Sequence, residues 1–133
     1  MPGRIRRALI DDTGSAPVEF VLVGALLTFL TLAVLQLALA LHVRNTVLDS
    51  AAEGARFAAL ADNSAVDGVV RCQNLITAAV GADYATDVRA STGSWMGHPA
   101  VTITVRTTLP LIGLLGIGGA VEVSGHAAIE TLD

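Results

Sequence analysis

The sequence predicts an α+β protein with a long N-terminal transmembrane helix that continues beyond the membrane, a second helix and a small three-stranded antiparallel sheet. Three observations predict this fold. Residues 20–41 contain no ionisable side chain, the apolar residues that follow recur at helical spacing up to about residue 80, and apolar and polar residues alternate after residue 100. A spanning helix followed by a small domain with half-buried strands explains all three.

The apolar run is long enough to cross a bilayer. Its only polar side chains are Thr28, Thr31 and Gln36. A helix of this length extends roughly 33 Å, and the hydrocarbon core is about 30 Å thick. Together with an apolar content of 53% in a chain of 133 residues, this predicts a single transmembrane segment.

Charge predicts the orientation of this helix. Arg4, Arg6 and Arg7 precede the apolar run and only Arg44 follows it closely, so the positive-inside rule places the N-terminus in the cytoplasm and residues 42–133 outside. The chain has a net charge of -4 and contains no lysine. Since nucleic-acid binding requires clustered basic residues, we expect no nucleic-acid partner.

Helical spacing continues after the membrane segment. It predicts one helix from about Pro17 to Leu60, in which Glu53 and Arg56 can pair one turn apart. A second helix is predicted within residues 61–81, after cap-type residues and before Gly81. Its apolar positions are Val66, Val69, Val70, Ile76 and Val80, with Gln73 in the same pattern.

Period-two alternation predicts strands at residues 100–106 and 120–130, with Val101, Ile103, Val105, Val121, Val123 and Ile129 facing inwards. A weaker strand at 83–90 completes the predicted sheet, and 91–99 is predicted as a loop. In this loop Trp95 and Met96 are candidates for partner contact, or alternatively cover the sheet. The apolar segment 109–120 is too short to span a bilayer and could cover the core, meet lipid or meet a partner.

The sequence offers no pattern typical of an enzyme, a cofactor site or a small-molecule site. His42, His98 and His126 fall on separate elements, so we expect no zinc site, and the glycines after residue 112 lack the spacing of a nucleotide loop. Cys72, the only cysteine, is expected to be a buried thiol.

Glu19 immediately precedes the apolar run, and Gly14 lies five residues before it. A buried carboxylate in a membrane needs a partner or a site at the surface. Cleavage between Gly14 and Ser15 would create an N-terminal amine and make Glu19 the fifth residue, so that the two charges could neutralise each other between packed helices. The alternative is a carboxylate that only caps the helix N-terminus.

At these residues the chain resembles type IV prepilins of the tight adherence (Tad) class. Residues 14–61, including "HVRN" and "AAEGARFAA", are similar to TadE-like minor pseudopilins. The resemblance implies a pilin-like fold, a scissile pair at Gly14 and Ser15, and an assembly role for Glu19 and Phe20. It also implies prepilin peptidase, the membrane, other pilin subunits and the pilus assembly platform as partners, and Arg56 as a further contact.

This interpretation divides the chain into a basic leader (1–14), a transmembrane helix (15–41), its extracytoplasmic extension (42–61) and an α+β domain (62–133). Small residues on one helix face, Gly24, Thr28, Thr31 and Ala38, suit helix packing, although such residues also occur facing lipid. Two alternatives remain: a soluble domain released by signal peptidase after Ala40, and a plain membrane-anchored binding module.

Overall fold

The computed structural model describes residues 14–110 and 119–131. The element order is α1 (Ser15–Ala59), α2 (Ala65–Ala79), a 3-10 helix (Ala82–Ala85), β1 (Asp87–Trp95), β2 (His98–Thr108) and β3 (Ala120–Ala128). The predicted α+β fold is confirmed. Residues 1–13 of the predicted leader, with its three arginines, and residues 111–118 of the apolar segment lie outside the described residues.

The chain divides into two compact units, one ending at Leu35 and one beginning at Gln36. In the described residues, the first unit consists of the N-terminal part of α1 and its preceding residue Gly14. The second unit contains the remainder of α1, α2, the 3-10 helix and the sheet. The hydrophobic core of buried residues lies in this second unit.

At the C-terminal end of α1, two groups outside the helix donate hydrogen bonds to its last carbonyl oxygens. The Asn63 side-chain amide donates to the Phe57 carbonyl at 2.8 Å, and the Glu130 backbone N–H donates to the Ala59 carbonyl at 3.0 Å. Terminal carbonyls have no partner within the helix, so these bonds satisfy groups that would otherwise need water. The observed end is one residue from the predicted one.

Helix α2 begins with a capping box. The Asp67 backbone N–H donates to the Ser64 hydroxyl, and the Ser64 backbone N–H donates to the Asp67 carboxylate at 2.7 Å. The Ser64 hydroxyl also donates to the Asp67 carboxylate at 2.6 Å, and this bond, together with the one from the Ser64 backbone N–H, lowers the pKa of the carboxyl because both favour its charged form. The start of the helix is therefore fixed by two side chains three residues apart.

The inward face of α2 agrees with the predicted one in part, since Ile76 is buried and Val69 and Val80 pack against the core. Gly68, Cys72 and Ile76 are its buried residues. Val66, predicted in the apolar stripe, is 70% exposed, and Val70 is exposed as well. Small residues point inwards at Gly68 and Cys72 because α1 approaches closely there, at Gly54. The prediction that Cys72 is buried is confirmed.

The sheet has the order β1-β2-β3 with antiparallel pairing throughout. On β2 the predicted alternation holds: Val101, Ile103 and Val105 are buried, and Arg106 is exposed. Ile129 lies beyond the end of β3 and is exposed, so its predicted inward position was wrong. The backbone N–H of Ile129 instead donates to the Pro99 carbonyl at 3.0 Å.

The predictions for residues 83–99 were partly wrong. Residues 82–85 form a 3-10 helix, and the strand predicted at 83–90 begins at Asp87 and continues to Trp95. The segment predicted as a loop is a β-hairpin, in which Ser91 pairs with Thr102 and Trp95 with His98. Only Met96 and Gly97 connect the strands, with φ of 52° and 83°. Positive φ at both positions is typical of the tight type I′ turn, which matches the twist of the strands.

Candidate functional site

The N-terminal part of α1 exposes a continuous apolar surface. Every large apolar side chain from Val18 to Leu41 is about half exposed or more, and Phe20 reaches 80%. By length and composition α1 is able to cross a membrane, and it is the only such helix among the described residues. Exposed apolar surface of this extent requires lipid or protein to cover it.

The hydroxyl groups of the two threonines on this surface form hydrogen bonds within the helix. The Thr28 hydroxyl donates to the Gly24 carbonyl and the Thr31 hydroxyl donates to the Leu27 carbonyl, each at 2.8 Å. Because an unpaired donor in hydrocarbon is costly, these bonds make both residues compatible with lipid. Gly24, Thr28, Thr31 and Ala38 are all exposed.

The predicted processing and assembly residues lie together at the start of α1. Gly14 immediately precedes the helix, is exposed, and has no heavy atom within 4 Å of a Cβ position. Ser15 is the first helical residue. Glu19 and Phe20 follow one turn later and are exposed. Within residues 14–110 and 119–131, Glu19 forms no ion pair.

Arg56 lies at a groove between α1 and α2. The groove has a volume of about 450 Å³ and is lined by Thr46, Asp49, Ser50, Ala52, Glu53, Arg56, Leu75 and Ala79. Glu53 is 3.9 Å from Arg56 and 3.8 Å from Arg71, which confirms the predicted i, i+3 contact. The Arg71 guanidinium also lies 5.9 Å from the centroid of the Phe57 ring. Carboxylate and guanidinium groups at this groove are therefore similar in number, and their ion pairs are exposed.

Trp95 and Met96 lie at the β1–β2 turn. The Trp95 ring stacks on the His126 ring of β3, with centroids 5.3 Å apart and planes 4° apart. The His126 Nδ1 atom is within hydrogen-bond distance of the Thr102 hydroxyl, at 2.8 Å. Ala100, which lies between these edge strands on β2, is buried. Trp95 thus spans the end of the sheet, yet 45% of it remains exposed.

The outer face of the sheet is polar and its charges are paired. Arg106 binds Glu122 across the β2–β3 pair, and this contact raises the pKa of Arg106. The Arg89 Nε atom donates to the Asp87 carboxylate at 2.9 Å.

Burial raises the pKa of the Cys72 thiol to about 11, so the thiol is protonated at neutral pH and is a poor nucleophile or metal ligand. In the part of the chain that the structure describes, no three His, Cys, Asp or Glu residues group as metal ligands.

Three glycines that the sequence analysis did not single out determine the packing of the second unit. A Cβ at Gly54 would lie 2.7 Å from the Gly68 carbonyl oxygen, and a Cβ at Gly68 would lie 2.6 Å from the Gly54 carbonyl oxygen. A Cβ at Gly125 would lie 2.4 Å from the backbone of Ala51. Isolated glycines inside helix and strand patterns are the signal that indicates such close approach.

The capping box was also detectable. Ser64 and Asp67 fit the S/T-x-x-D/E pattern that precedes an apolar helical run. The Trp95–His126 stack had no sequence signal, since 31 positions of chain separate two residues that only the strand order brings together.

The family described as TadE-like protein matches residues 14–56, about one third of the chain. Comparisons with curated proteins and with solved structures found no match. The matched segment begins at Gly14 and ends at Arg56, so it contains the predicted scissile pair, Glu19 and the apolar helix. The match thus confirms, over residues 14–56, the resemblance to TadE-like proteins noted above.

Proposed function

We propose that this protein is a minor pseudopilin that helps to assemble or cap a Tad-type pilus or a related secretion fibre. The observation that carries the proposal is the position of Gly14 and Glu19 at the start of an exposed apolar helix inside the TadE-like segment. In this role the protein is structural: it acts by binding other subunits and has no substrate to convert.

Processing is the first step. Prepilin peptidase cleaves between Gly14 and Ser15 on the cytoplasmic side, and the mature protein stays in the cytoplasmic membrane with its C-terminal part outside. Gly14 is exposed with respect to the described residues, which supports access by a protease. The new Ser15 amine then carries a positive charge at the end of an apolar helix.

Assembly is the second step. The exposed apolar side chains between Val18 and Leu41 pack against the helices of other pilin subunits, while the Glu19 carboxylate neutralises an N-terminal amine. Charge neutralisation removes much of the penalty for placing either group in a low-dielectric environment. The small residues on one face, from Gly24 to Ala38, allow a close approach of helices.

The N-terminal residue of the mature protein tests the processing step. We expect intact mass and N-terminal peptide analysis of a membrane fraction to give Ser15 in the wild type and an unprocessed chain in Gly14→Val. Gly24→Val is the matched control, since it makes the same change at another open position, and it should be processed normally. A start at Leu41 would instead indicate a soluble domain released by signal peptidase, and an intact N-terminus in the wild type would indicate a plain membrane anchor.

The assembly step is tested by changing the carboxylate alone. Glu19→Ala should leave membrane insertion and cleavage intact and abolish fibre formation, because the amine of the neighbouring helix loses its partner. Glu19→Asp, which keeps the charge, should retain partial assembly. Normal piliation in Glu19→Ala would count heavily against this mechanism.

The burial of Ala40 weighs against the signal-peptidase alternative, although Val43 and Val47 would stay with the released domain. A cut after Ala40 would fall inside α1, immediately before the core residues Val43 and Val47. Ala40 itself is buried. These contacts support a helix that stays intact through this position.

A further inference from the structure

One end of the sheet carries an uncharged surface, formed where the chain leaves β2 and enters β3. We call Leu109, Pro110, Gly119 and Ala120 the base of the sheet. The Leu109 backbone N–H donates to the Gly119 carbonyl at 3.1 Å, so the two chain segments lie side by side. Ala120 is exposed and the other three residues are partly exposed. Residues 107–121 carry no ionisable side chain.

The contacts between β3 and α1 show the level of the base along the helix. A Cβ at Gly125 would touch the Ala51 backbone, and beyond the end of the strand the Glu130 backbone N–H donates to the Ala59 carbonyl. The strand and the helix therefore run in the same direction. The stretch from Gly125 back to Ala120 covers about 17 Å, or roughly 8 to 11 residues of helix, so β3 starts level with about residues 40–43 of α1.

Helix α2 leads to the same level independently. Its last residue, Ala79, lines the groove that also contains Thr46 of α1. The 3-10 helix that follows places Asp83 at a concave site together with Thr108 and Ala120. Two routes through the fold therefore bring the base close to the N-terminal part of the second unit.

The apolar run of α1 ends at this level. Leu39 and Leu41 are about half exposed, whereas Ala40 between them is only 3% exposed. Because a helix alone does not bury an alanine, another part of the chain covers α1 within the apolar run. The run ends at Leu41 and has roughly the length of the hydrocarbon core, so its end marks the outer boundary of the core when α1 spans the membrane. The base therefore lies at the depth where lipid surrounds α1.

Charged residues lie farther from the membrane than the base. Arg106 and Glu122 face each other two rows before the last β2–β3 pair, which joins Thr108 to Ala120. Two rows correspond to about 7 Å, similar to a headgroup layer of roughly 5 to 8 Å. The Asp83 carboxylate lies nearer, beside Thr108, so the base reaches the interface and does not enter the hydrocarbon deeply.

We propose that the base of the sheet rests on the outer surface of the bilayer and contacts the upper acyl chains of phospholipids, as a second membrane contact beside α1. The inference rests on the membrane anchoring in the proposed function and concerns the protein before it enters a fibre. A contact away from the helix axis fixes the rotation of the second unit relative to the membrane. The unit then presents the same face to every subunit that approaches along the membrane.

Single tryptophans placed at different heights test this contact. Trp95 is the only tryptophan and lies at the opposite end of the sheet, so Trp95→Phe provides a background without tryptophan. In this background, Ala120→Trp and Pro110→Trp report on the base. Ala128→Trp is the matched control, because Ala128 is also an exposed alanine of β3 and lies about 27 Å from Ala120. Leu30→Trp reports on the insertion of α1.

The full chain of each variant is reconstituted in phosphatidylcholine vesicles whose acyl chains carry bromine either near the carbonyl end or near the middle. Since bromine quenches tryptophan on contact, we expect the shallow bromines to lower the fluorescence of Ala120→Trp and Pro110→Trp about twofold relative to unbrominated vesicles. The deep bromines should quench Leu30→Trp. Neither lipid should quench Ala128→Trp. Circular dichroism checks that each variant is folded, and Pro110→Trp, which lies outside the strands, serves if Ala120→Trp does not fold.

The outcomes separate this inference from the proposed function. Quenching of Leu30→Trp without quenching at either base position would overturn the inference and leave the anchoring intact. A blue-shifted but unquenched tryptophan at the base would overturn it by showing that protein, from this chain or a second copy, covers the base. Equal quenching of Ala128→Trp would also overturn it, because the whole unit would then lie on the membrane. An unquenched Leu30→Trp would overturn both the anchoring and the inference.

Discussion

Two glycines of the same helix have opposite surroundings. Gly24, in the first unit, has no heavy atom within 4 Å of a Cβ position, whereas a Cβ at Gly54, in the second unit, would overlap the Gly68 carbonyl and the Cys72 side chain. Among residues 14–110 and 119–131, the part of α1 around Gly54 packs against other elements and the part around Gly24 does not. The N-terminal surface of α1 is therefore available to lipid or other subunits, and the C-terminal surface is used in folding.

The largest expected effect lies at the contact between α1 and β3. Gly125→Ala should destabilise the second unit by about 3 kcal/mol or more, because a Cβ there meets rigid backbone of Ala51 and Ala52 at 2.4 to 2.5 Å. Gly93→Ala is the control, since it changes the same residue type on β1 in open space. Chemical denaturation of the full chain in detergent measures both, and equal midpoints would contradict the packing described.

Shortening a buried side chain in the core should lower the free energy of unfolding by a similar or slightly smaller amount. Ile76→Ala deletes a side chain that is fully buried between α2 and the rest of the core, and we expect a loss of about 3 kcal/mol. Val66→Ala, on the exposed side of the same helix, should change the free energy of unfolding by less than about 0.5 kcal/mol. A large effect of Val66→Ala would indicate that its side chain is covered in solution.

The capping box of α2 should contribute less to the free energy of unfolding than these core contacts do. Ser64→Ala removes the N-cap of α2 and should cost about 1 kcal/mol at neutral pH. The pKa of Asp67 is lowered in the folded state, so its contribution is present above the unfolded pKa and is lost as the pH falls through the folded value, below 3.8. The difference between wild type and Ser64→Ala should therefore shrink between about pH 5 and about pH 2. A difference that stays constant or grows on acidification would contradict the role of the carboxylate.

The smallest effect on folding is expected at the open glycine. Gly24→Ala should leave the free energy of unfolding of the second unit unchanged, since the added methyl group meets no side chain or neighbouring element among the described residues. It should nevertheless weaken helix association in a membrane if this face packs on a neighbour. Fluorescence energy transfer between labelled copies in vesicles measures this association. Leu30→Ala, which lies away from the small-residue face, is the control and should leave the transfer unchanged.

The structure confirms most of the predictions that depended on patterns within a short stretch of sequence. The apolar run, the helical spacing up to Leu60 and the alternation around Ile103 each depend on a few neighbouring residues, and all three appear in the structure. The hairpin at 91–99 was missed because its glycine and serine content resembles a loop, and its strands are held by cross-strand pairing with β2. On α2, Ile76 was predicted correctly, but Val66 and Val70 are exposed because close contact with Gly54 places Gly68 and Cys72 inwards instead.

The sequence by itself determined the two long helices, the strands around Ile103 and Val123, the apolar segment and the TadE-like start of the chain, because these follow from periodicity, length and short motifs. Only the tertiary structure decided which glycines are indispensable, which valines face solvent, and that Trp95 meets His126 across the sheet. The physical reason is that close packing depends on the distance between elements, and no single segment of sequence carries that distance.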